Sequence, residues 1–288
     1  MRIVTTIAEM RAQIETWKIA EMSIGFCPTM GYLHDGHASL MDCSREDNDI
    51  TVASVFVNPI QFGPKEDLSK YPRDFERDCQ IMEARGVDLV FHPEPEEMYA
   101  PDFCTYADVD VVSSTLCGAA REGHFRGVCT VVSKLLNIVQ PDRIYLGKKD
   151  AQQLAVIRRM VRDLNFNVEV VGCPTIREED GLAMSSRNVY LNPDERAAAR
   201  ILSRTLRLGQ NMVHDGCRDS KQLLDAMKAN LATEPMADVD YVEVVDGLSM
   251  QPIETFDKGD LVAMAVRIGS TRLIDNFTVG DKVIDVEV

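Results

Sequence analysis

The sequence predicts an α/β protein in which a Rossmann-like open parallel sheet precedes a smaller α+β C-terminal domain. Short apolar runs alternate with amphipathic helical segments as far as about residue 176, which is typical of a parallel sheet with helices on both faces. Beyond that point two helical segments precede three strand-like segments, a pattern that favours an antiparallel sheet. We therefore expect two domains, at residues 1–176 and 177–288.

The elements of the first domain follow in order. Met10, Ile14 and Trp17 recur at helical spacing and predict an amphipathic helix over residues 6–20. Strands are then predicted at 22–28, 49–59, 87–93, 142–147 and 167–174, and helices at 36–46, 73–86, 127–141 and 149–164. Proline or glycine closes several of these segments, which supports the boundaries.

The second domain begins with a helix predicted over residues 192–213. Asn192 is its expected N-cap, with Pro193 at the first helical position and Glu195 at the third. A further helix is predicted at 221–231, and strands at 239–246, 260–269 and 272–279.

Composition narrows the class of protein. The 288 residues are 45% hydrophobic, enough for a substantial core, and the formal net charge is −15. Such acidity disfavours nucleic acids and anionic membranes as partners, although a few cations and backbone N–H groups still suffice for a nucleotide. Solubility is the simpler role for the charge.

Targeting and cysteine patterns indicate the compartment. The eight cysteines are scattered, without a C-x-x-C pair, as expected of buried thiols in a reducing cytosol. The first residues lack the pattern of a signal peptide, and no apolar run approaches membrane-spanning length. We expect a soluble, cytoplasmic protein.

Ligands of open parallel sheets bind beyond the carboxyl ends of the strands, so the residues that follow each strand are the candidates. His34 and His37 follow the strand at 22–28 and flank the predicted start of a helix. Free N–H groups and the helix dipole make that edge an anion site, and imidazole N–H groups add donors. Capping or surface histidines are the alternative interpretation.

Three other segments have the same placement. Lys148 and Lys149, in "YLGKKDAQQ", can reach a phosphate, while the glutamines that follow them also fit an exposed polar helix face. "GLAMSSRN" (181–188) offers hydroxyls and the Arg187 fork to polyphosphate, or else is an interdomain linker. Asn58 and Gln61 can bind a carboxylate or hydroxyl, or merely end a strand.

Together these segments resemble a known family. H-x-G-H followed by M-S-S-R resembles the nucleotidylyltransferase superfamily, which shares both signatures with class I aminoacyl-tRNA synthetases. "PTMGYLHDGHASL", "SVFVNPIQFGP", "YPR", "LNIVQPDRIYLGKKDAQQL" and "REEDGLAMSSRNVYL" are similar to the pantothenate synthetase (pantoate–β-alanine ligase) family, closely so over residues 20–200.

The resemblance implies an activity. Enzymes of that family join (R)-pantoate to β-alanine with ATP and Mg²⁺ to give pantothenate, AMP and pyrophosphate through pantoyl adenylate. A homodimer is expected from the same resemblance, and the domain at 177–288 is expected to act as a C-terminal lid.

The resemblance also implies site residues. His37 is the implied catalytic acid, and His34, Lys149 and Arg187 act with it. The implied ATP site comprises Met30, Gly31, Tyr32, Leu33, His34, Asp35, Gly36, His37, Gly147, Lys148, Lys149, Asp150, Ile176, Met184, Ser185, Ser186 and Arg187. The implied substrate site comprises Gln61 (pantoate and β-alanine), Gln153 (pantoate), Asn58 and Arg121. Residues that hold Mg²⁺ are not indicated.

One position departs from the family pattern, because Lys148 stands where the family usually carries an acidic residue. Lys149 is therefore the functional lysine, and any effect of Lys148 should fall on ATP affinity before chemistry. Two alternatives remain: another adenylyl-transferring nucleotidylyltransferase, and a non-catalytic nucleotide-binding module. Another nucleotidylyltransferase would need cationic side chains for a second substrate phosphate, whereas Asn58 and Gln61 are amides. A non-catalytic module would not need the four residues implied in catalysis, which are His34, His37, Lys149 and Arg187.

Overall fold

Six parallel strands form the larger sheet of the computed structural model, which describes residues 1–64 and 66–284. The strands are β1 (Arg2–Val4), β2 (Ile24–Thr29), β3 (Ile50–Val55), β4 (Leu89–Phe91), β5 (Arg143–Gly147) and β6 (Glu169–Cys173). Their order across the sheet is β1-β4-β3-β2-β5-β6. The chain thus builds outward from β2 in one direction, returns, and builds outward again through β5, as in a Rossmann-like sheet.

The reversal of strand order lies between β2 and β5. Their pairing covers Gly25 with Arg143 and Phe26 with Ile144, whereas β2 pairs with β3 as far as Thr29. The carboxyl ends of β2 and β5 therefore border the topological switch point, where ligands of open parallel sheets bind.

Helices follow the strands. They are α1 (Ile7–Ile19), α2 (Asp35–Asp47), α3 (Phe75–Ala84), the short α4 (Pro95–Met98) and α5 (Leu116–Ala120), α6 (His124–Val139) and α7 (Ala151–Asp163). Single 3₁₀ turns cover Pro59–Gln61, Lys148–Asp150 and Ser186–Tyr190.

Both faces of the larger sheet are buried, as predicted. Cys27 and Ala53 pack on one face in a cluster with Met41 of α2 and Met82 of α3. Successive strand residues point to opposite faces, and Phe26, the neighbour of Cys27, is also fully buried. Near-continuous burial of this kind is typical of a parallel sheet in an α/β fold.

The C-terminal residues form an antiparallel sheet of β7 (Ala237–Val245), β8 (Leu261–Ile268) and β9 (Thr271–Thr278), in that order. Helices α8 (Pro193–Ala198), α9 (Ile201–His214) and α10 (Ser220–Leu231) precede it. Leu206, Leu223, Val262 and Phe277 share one apolar core, so the sheet and its helices pack together. The predicted fold class is confirmed in both parts.

Contacts between residues divide the chain into two compact units. The first unit holds 1–109, 121–148 and 156–174, and the second holds 110–120, 149–155 and 175–288. In the described residues, no helix has both the length and the apolar character needed to cross a membrane.

Several boundaries differ from the predictions. The strand predicted over 49–59 ends at Val55, and Pro59, which lacks an N–H group, opens a 3₁₀ turn instead. Helix α6 begins at His124, three residues earlier than predicted, after Gly123 in the left-handed region (φ 76°). The short edge strand β1 was missed because three residues show no periodicity.

The helix predicted over 192–213 is divided into α8 and α9. Asn192 is its N-cap, as predicted: its Oδ1 accepts from the N–H groups of Asp194 and Glu195 at 3.0 Å, and the Glu195 carboxylate accepts from the Asn192 N–H. At the break, Leu202 N–H donates to the Ala199 carbonyl. The chain keeps helical dihedral angles there, and this i→i+3 hydrogen bond interrupts the α-helical pattern between α8 and α9.

Candidate functional site

The two histidines cap helix α2 reciprocally. His34 is the N-cap residue, and its Nδ1 accepts from the Gly36 N–H at 3.1 Å. The His34 N–H in turn donates to Nδ1 of His37 at 3.3 Å, and the ring centroids lie 4.1 Å apart. The H-x-G-H spacing therefore brings both imidazoles to the positive end of one helix dipole, at the carboxyl end of β2.

These caps fix the tautomer of both rings. A backbone N–H can only donate, so Nδ1 of His34 and of His37 carries no proton while the cap is formed. The proton of each neutral ring is then on Nε2. Two Nε2–H donors beside a helix N-terminus are suited to anionic oxygen atoms, and the capping and anion-binding interpretations become compatible.

The turn between β2 and α2 is held by a carboxylate from α3. Oδ2 of Asp78 accepts from the Tyr32 N–H at 2.8 Å and Oδ1 accepts from the Leu33 N–H at 2.7 Å. Tyr32 has φ 51° and Gly31 has φ 82°. A Cβ on Gly31 would lie 2.9 Å from Asp78 Oδ2 and 3.0 Å from Val55 Cγ1, so glycine is needed for both its angle and its size.

Asp78 was not identified from the sequence. Its side chain is 1% exposed, and burial raises the pKa of its carboxyl group against the opposing effect of the Leu33 and Tyr32 N–H groups. The available signal was its place on α3, three residues after Phe75 and four before Met82. That spacing puts a carboxylate on the buried stripe of the helix, where it needs partners.

Two of the three predicted substrate amides, Asn58 and Gln61, lie together. Asn58 Nδ2 donates to Gln61 Oε1 at 3.0 Å and to the Gly127 carbonyl at 3.2 Å, and the Tyr99 hydroxyl donates to Asn58 Oδ1 at 2.7 Å. Gln61 Nε2 donates to the Met30 thioether at 3.1 Å. Asn58 is therefore a partner of Gln61, and Tyr99 and Gly127 are contacts that the sequence did not indicate.

Arg121 reaches Gln61 through a histidine. Its Nε and Nη2 each donate to a carboxylate oxygen of Glu66 at 2.7 Å, and its Nη1 lies 2.9 Å from Nε2 of His124. Arginine only donates, so Nε2 of His124 accepts and its Nδ1–H donates to the Gln61 carbonyl at 2.9 Å. Arg121 thus belongs to a chain of polar contacts that ends on the Gln61 backbone.

The last two predicted site residues of the first unit, Gly147 and Lys148, lie at the carboxyl end of strand β5. Gly147 is its final residue, and among the described residues no atom beyond its two chain neighbours lies within 4 Å of the position that a Cβ would take. Lys148 follows it and lies near Cys173: burial raises the pKa of that thiol to about 12, and the Lys148 charge opposes the rise. A cation therefore stands at the carboxyl end of β5.

The remaining predicted residues belong to the second unit. Lys149 Nζ lies 3.6 Å from Asp150 Oδ2, and the Lys149 carbonyl accepts from Asn276 at 2.7 Å. Gln152 is 5% exposed and its Nε2 donates to the carbonyls of Val112 and Thr115, so the exposed polar face suggested for it is wrong. Its neighbour Gln153 is half-buried.

The M-S-S-R segment follows a braced turn. Met184 N–H donates to the Ile176 carbonyl at 3.0 Å, and Ser185 Oγ caps the next 3₁₀ turn by accepting from the Arg187 N–H at 3.2 Å. Ser186 is buried.

Two arginines brace that turn. Arg177 binds both oxygens of the buried Asp275, at 2.7 and 3.0 Å, and Arg196 binds Glu178 and Asp180. The Ile176–Arg187 stretch is thus tied to β9 and α8 of the same unit.

The positions of the possible ligand side chains indicate whether the protein itself offers a metal site. Among residues 1–64 and 66–284, no three His, Cys, Asp or Glu side chains gather as metal ligands. Mg²⁺ in proteins usually keeps several waters and takes substrate phosphates together with one or two carboxylates.

Known proteins of one family match nearly the whole of this chain. The model of the family described as pantoate-beta-alanine ligase matches residues 2–278. Pantothenate synthetase of Ruminiclostridium cellulolyticum is 55% identical over 278 residues, covering 96% of this chain and 99% of its own.

Solved structures agree as well. Pantothenate synthetase of Thermus thermophilus has a TM-score of 0.92 at 48% identity, covering 97% of this chain and 99% of its own. Pantoate-beta-alanine ligase of Francisella tularensis, complexed with beta-gamma ATP and beta-alanine, has a TM-score of 0.79 at 30% identity, covering 98% and 99%.

Proposed function

Because this chain belongs to the pantoate–β-alanine ligase family and is an ATP-dependent ligase of pantoate and β-alanine, we propose that it works through pantoyl adenylate. The observation that supports this most is the capped pair of His34 and His37, whose Nε2–H donors lie at the N-terminus of α2. The α2 terminus and these donors suit a triphosphate.

The first step joins two anions. An oxygen of the ionised pantoate carboxylate bonds to the α-phosphorus of ATP, the bond from that phosphorus to the bridging oxygen breaks, and pyrophosphate leaves with the bonding electrons. No general base is needed, because a carboxylate is already ionised at neutral pH. The site must instead position both reactants and neutralise the charge on pyrophosphate.

We assign that neutralisation to His34, His37, Lys149 and Arg187. Hydrogen bonding to His37 stabilises the leaving oxygen whether or not the proton is transferred, so its role as catalytic acid includes charge stabilisation. Mg²⁺ that accompanies the nucleotide would supply further charge neutralisation.

The remaining nucleotide contacts are assigned by the same family relationship. They are Met30, Gly31, Tyr32, Leu33, Asp35, Gly36, Gly147, Lys148, Asp150, Ile176, Met184, Ser185 and Ser186. Asp78 supports this assignment in the first unit, since it holds the Tyr32 and Leu33 N–H groups in place.

The second step forms the amide. The neutral amine of β-alanine bonds to the acyl carbon, and the bond from that carbon to the phosphate oxygen breaks. AMP leaves with the bonding electrons, and the amine gives its proton to the departing AMP or to solvent. Gln61 binds both organic substrates and Gln153 binds pantoate in this proposal. Because water hydrolyses acyl adenylates, residues 177–288 are proposed to act as a lid that excludes it. A cytoplasmic homodimer completes the proposal.

The test is to follow pyrophosphate and AMP separately with ATP and Mg²⁺. Pyrophosphate with pantoate alone, and sustained AMP only after β-alanine is added, would support the two steps. Bound ATP without pantoate-dependent pyrophosphate would contradict them and favour another nucleotidyl-transferring substrate or a non-catalytic module.

A matched pair of variants links the reaction to the histidines. His37→Gln should lower kcat by about a hundredfold, as removal of one preorganised donor commonly does. His214→Gln is the control, because His214 is 80% exposed near the end of α9 and should leave kcat unchanged. Equal activity of the two variants would contradict the role of His37.

A further inference from the structure

We propose that Asn58 and Tyr99 are positioning residues that set the polarity of the Gln61 side chain, so that Gln61 offers N–H groups to the substrates. The proposal rests on the proposed function, since it concerns the same site, and adds which atoms of that site recognise the substrates. The two ends of an amide are nearly equal in shape, so their identity follows only from their partners.

The Gly127 carbonyl is the reference for the whole chain of contacts. A carbonyl oxygen only accepts, so the Asn58 atom 3.2 Å from it must be the amide nitrogen. The opposite atom is then the Asn58 oxygen, which lies 2.7 Å from the Tyr99 hydroxyl and receives its O–H. Gly127 allows this close packing, because a Cβ there would lie 2.4 Å from the Ile60 carbonyl oxygen.

The orientation of the Asn58 amide determines the orientation of the Gln61 amide. The second N–H of the Asn58 amide points to the Gln61 atom 3.0 Å away, which must accept and is therefore Oε1. The Gln61 nitrogen consequently lies at the far end of the chain, 3.1 Å from the Met30 thioether. Thioether sulfur is a weak acceptor, so a carboxylate readily replaces it.

This arrangement matches the chemistry that the two organic substrates share. Pantoate and β-alanine each carry a carboxylate, and a carboxylate accepts hydrogen bonds without donating. A Gln61 amide turned the other way would present its carbonyl oxygen to an anion, which is repulsive. The orientation therefore discriminates in favour of anionic substrates.

Burial makes the loss of any one of these hydrogen bonds costly. Asn58 is 1% exposed and Gln61 is 8% exposed, so water cannot readily replace a lost partner. Tyr99 is packed as well: burial raises the pKa of its hydroxyl, which remains a neutral donor. Removing that hydroxyl leaves the Asn58 oxygen without its donor and loosens the amide that orients Gln61.

The first variant is Tyr99→Phe, with Tyr106→Phe as the matched control. Tyr106 is 44% exposed, and the loss of its hydroxyl should be silent. Tyr99→Phe should raise the KM for pantoate and for β-alanine by about five- to tenfold, the effect of one unsatisfied buried acceptor, and leave the KM for ATP within about twofold. A purely structural role would lower the melting temperature without this selective change.

A double-mutant cycle decides whether Tyr99 acts through Gln61. In a Gln61→Ala background, Tyr99→Phe should change kcat/KM for pantoate by less than about twofold. The enzyme concentration is raised until the turnover of the slowest variant can be measured. The same loss in both backgrounds would overturn the inference, as would an unchanged KM in the single variant. Asn58→Asp is a second test, because an aspartate side chain cannot donate to the Gly127 carbonyl. The fall in kcat/KM for pantoate that it causes should likewise disappear in the Gln61→Ala background.

The failure of this inference differs from failure of the proposed function. If the wild-type protein releases no pantoate-dependent pyrophosphate, the proposed function fails. If wild-type turnover is normal and the cycle shows additive losses, only the role of Asn58 and Tyr99 is refuted.

Discussion

The buried carboxylate of Asp78 gives the sharpest prediction about the nucleotide side of the site. In Asp78→Asn, one amide atom still accepts from a backbone N–H, but the NH₂ group faces the other N–H as donor against donor. One of the two contacts, at 2.8 Å to Tyr32 or 2.7 Å to Leu33, is therefore lost. A hydrogen bond to a charged group contributes roughly 1.5–3 kcal/mol, so we expect a loss of about 2 kcal/mol.

That loss can be measured in two ways. For a chain of this size, about 2 kcal/mol corresponds to a melting temperature lower by about 4–8 °C. Because the same N–H groups position the turn before His34, calorimetric titration should also show weaker ATP binding, by up to about thirtyfold. Asp74→Asn is the matched control: Asp74 caps the same helix by accepting from the Arg77 N–H, and asparagine caps equally well.

If Asp78→Asn melts within about 1 °C of the wild type and binds ATP equally well, the carboxylate does not hold the turn. If Asp74→Asn shows the same losses as Asp78→Asn, the effect belongs to helix α3 and not to the two N–H contacts.

Three further predictions follow from local geometry. Gly127→Ala places a Cβ 2.6 Å from Gln61 Cα, so calorimetry should show a loss of stability of about 1–3 kcal/mol, and wild-type stability would contradict the packing. Burial opposes ionisation of Glu66, but Arg121 outweighs it and lowers the pKa of the carboxyl group. The ion pair should therefore stabilise the fold fully above the unfolded pKa of about 4.3, and lose its effect as pH falls through the folded pKa. Melting curves of Glu66→Gln and wild type should differ at neutral pH and converge in acid; a constant gap would contradict this. Lys148→Glu should raise the KM for ATP more than it changes kcat, and steady-state kinetics showing the reverse would assign Lys148 to the chemistry.

The sequence predicts the fold where periodicity is strong. Val-rich runs and amphipathic helices locate most of the larger sheet, and the change of pattern near residue 176 separates the parallel from the antiparallel strands. It fails for β1, where three residues pair with β4 at a sheet edge and carry no local signal. The sequence also predicts α8 and α9 as one helix, because the spacing of apolar residues does not reveal a change in hydrogen-bond register.

The sequence locates the candidate residues better than their partners. His34 and His37 cap one helix because their spacing is local. The carboxylate of Asp78 reaches the preceding turn from 45 positions away in the sequence, and Gly127 and Tyr99 reach Asn58 across still different elements. Such contacts depend on tertiary packing, which short motifs do not encode. Gln152 illustrates the same limit, since its polar side chain is buried against a distant segment.

Isotope transfer can show whether pantoate is activated as its adenylate. Pantoate whose carboxylate carries a heavy oxygen isotope is incubated with the protein, ATP, Mg²⁺ and β-alanine, and AMP is examined by mass spectrometry. Because the carboxylate oxygen bonds to the α-phosphorus and stays there when the amide forms, the account predicts one heavy oxygen in each AMP. AMP without the label, or label in inorganic phosphate alongside ADP, would contradict it.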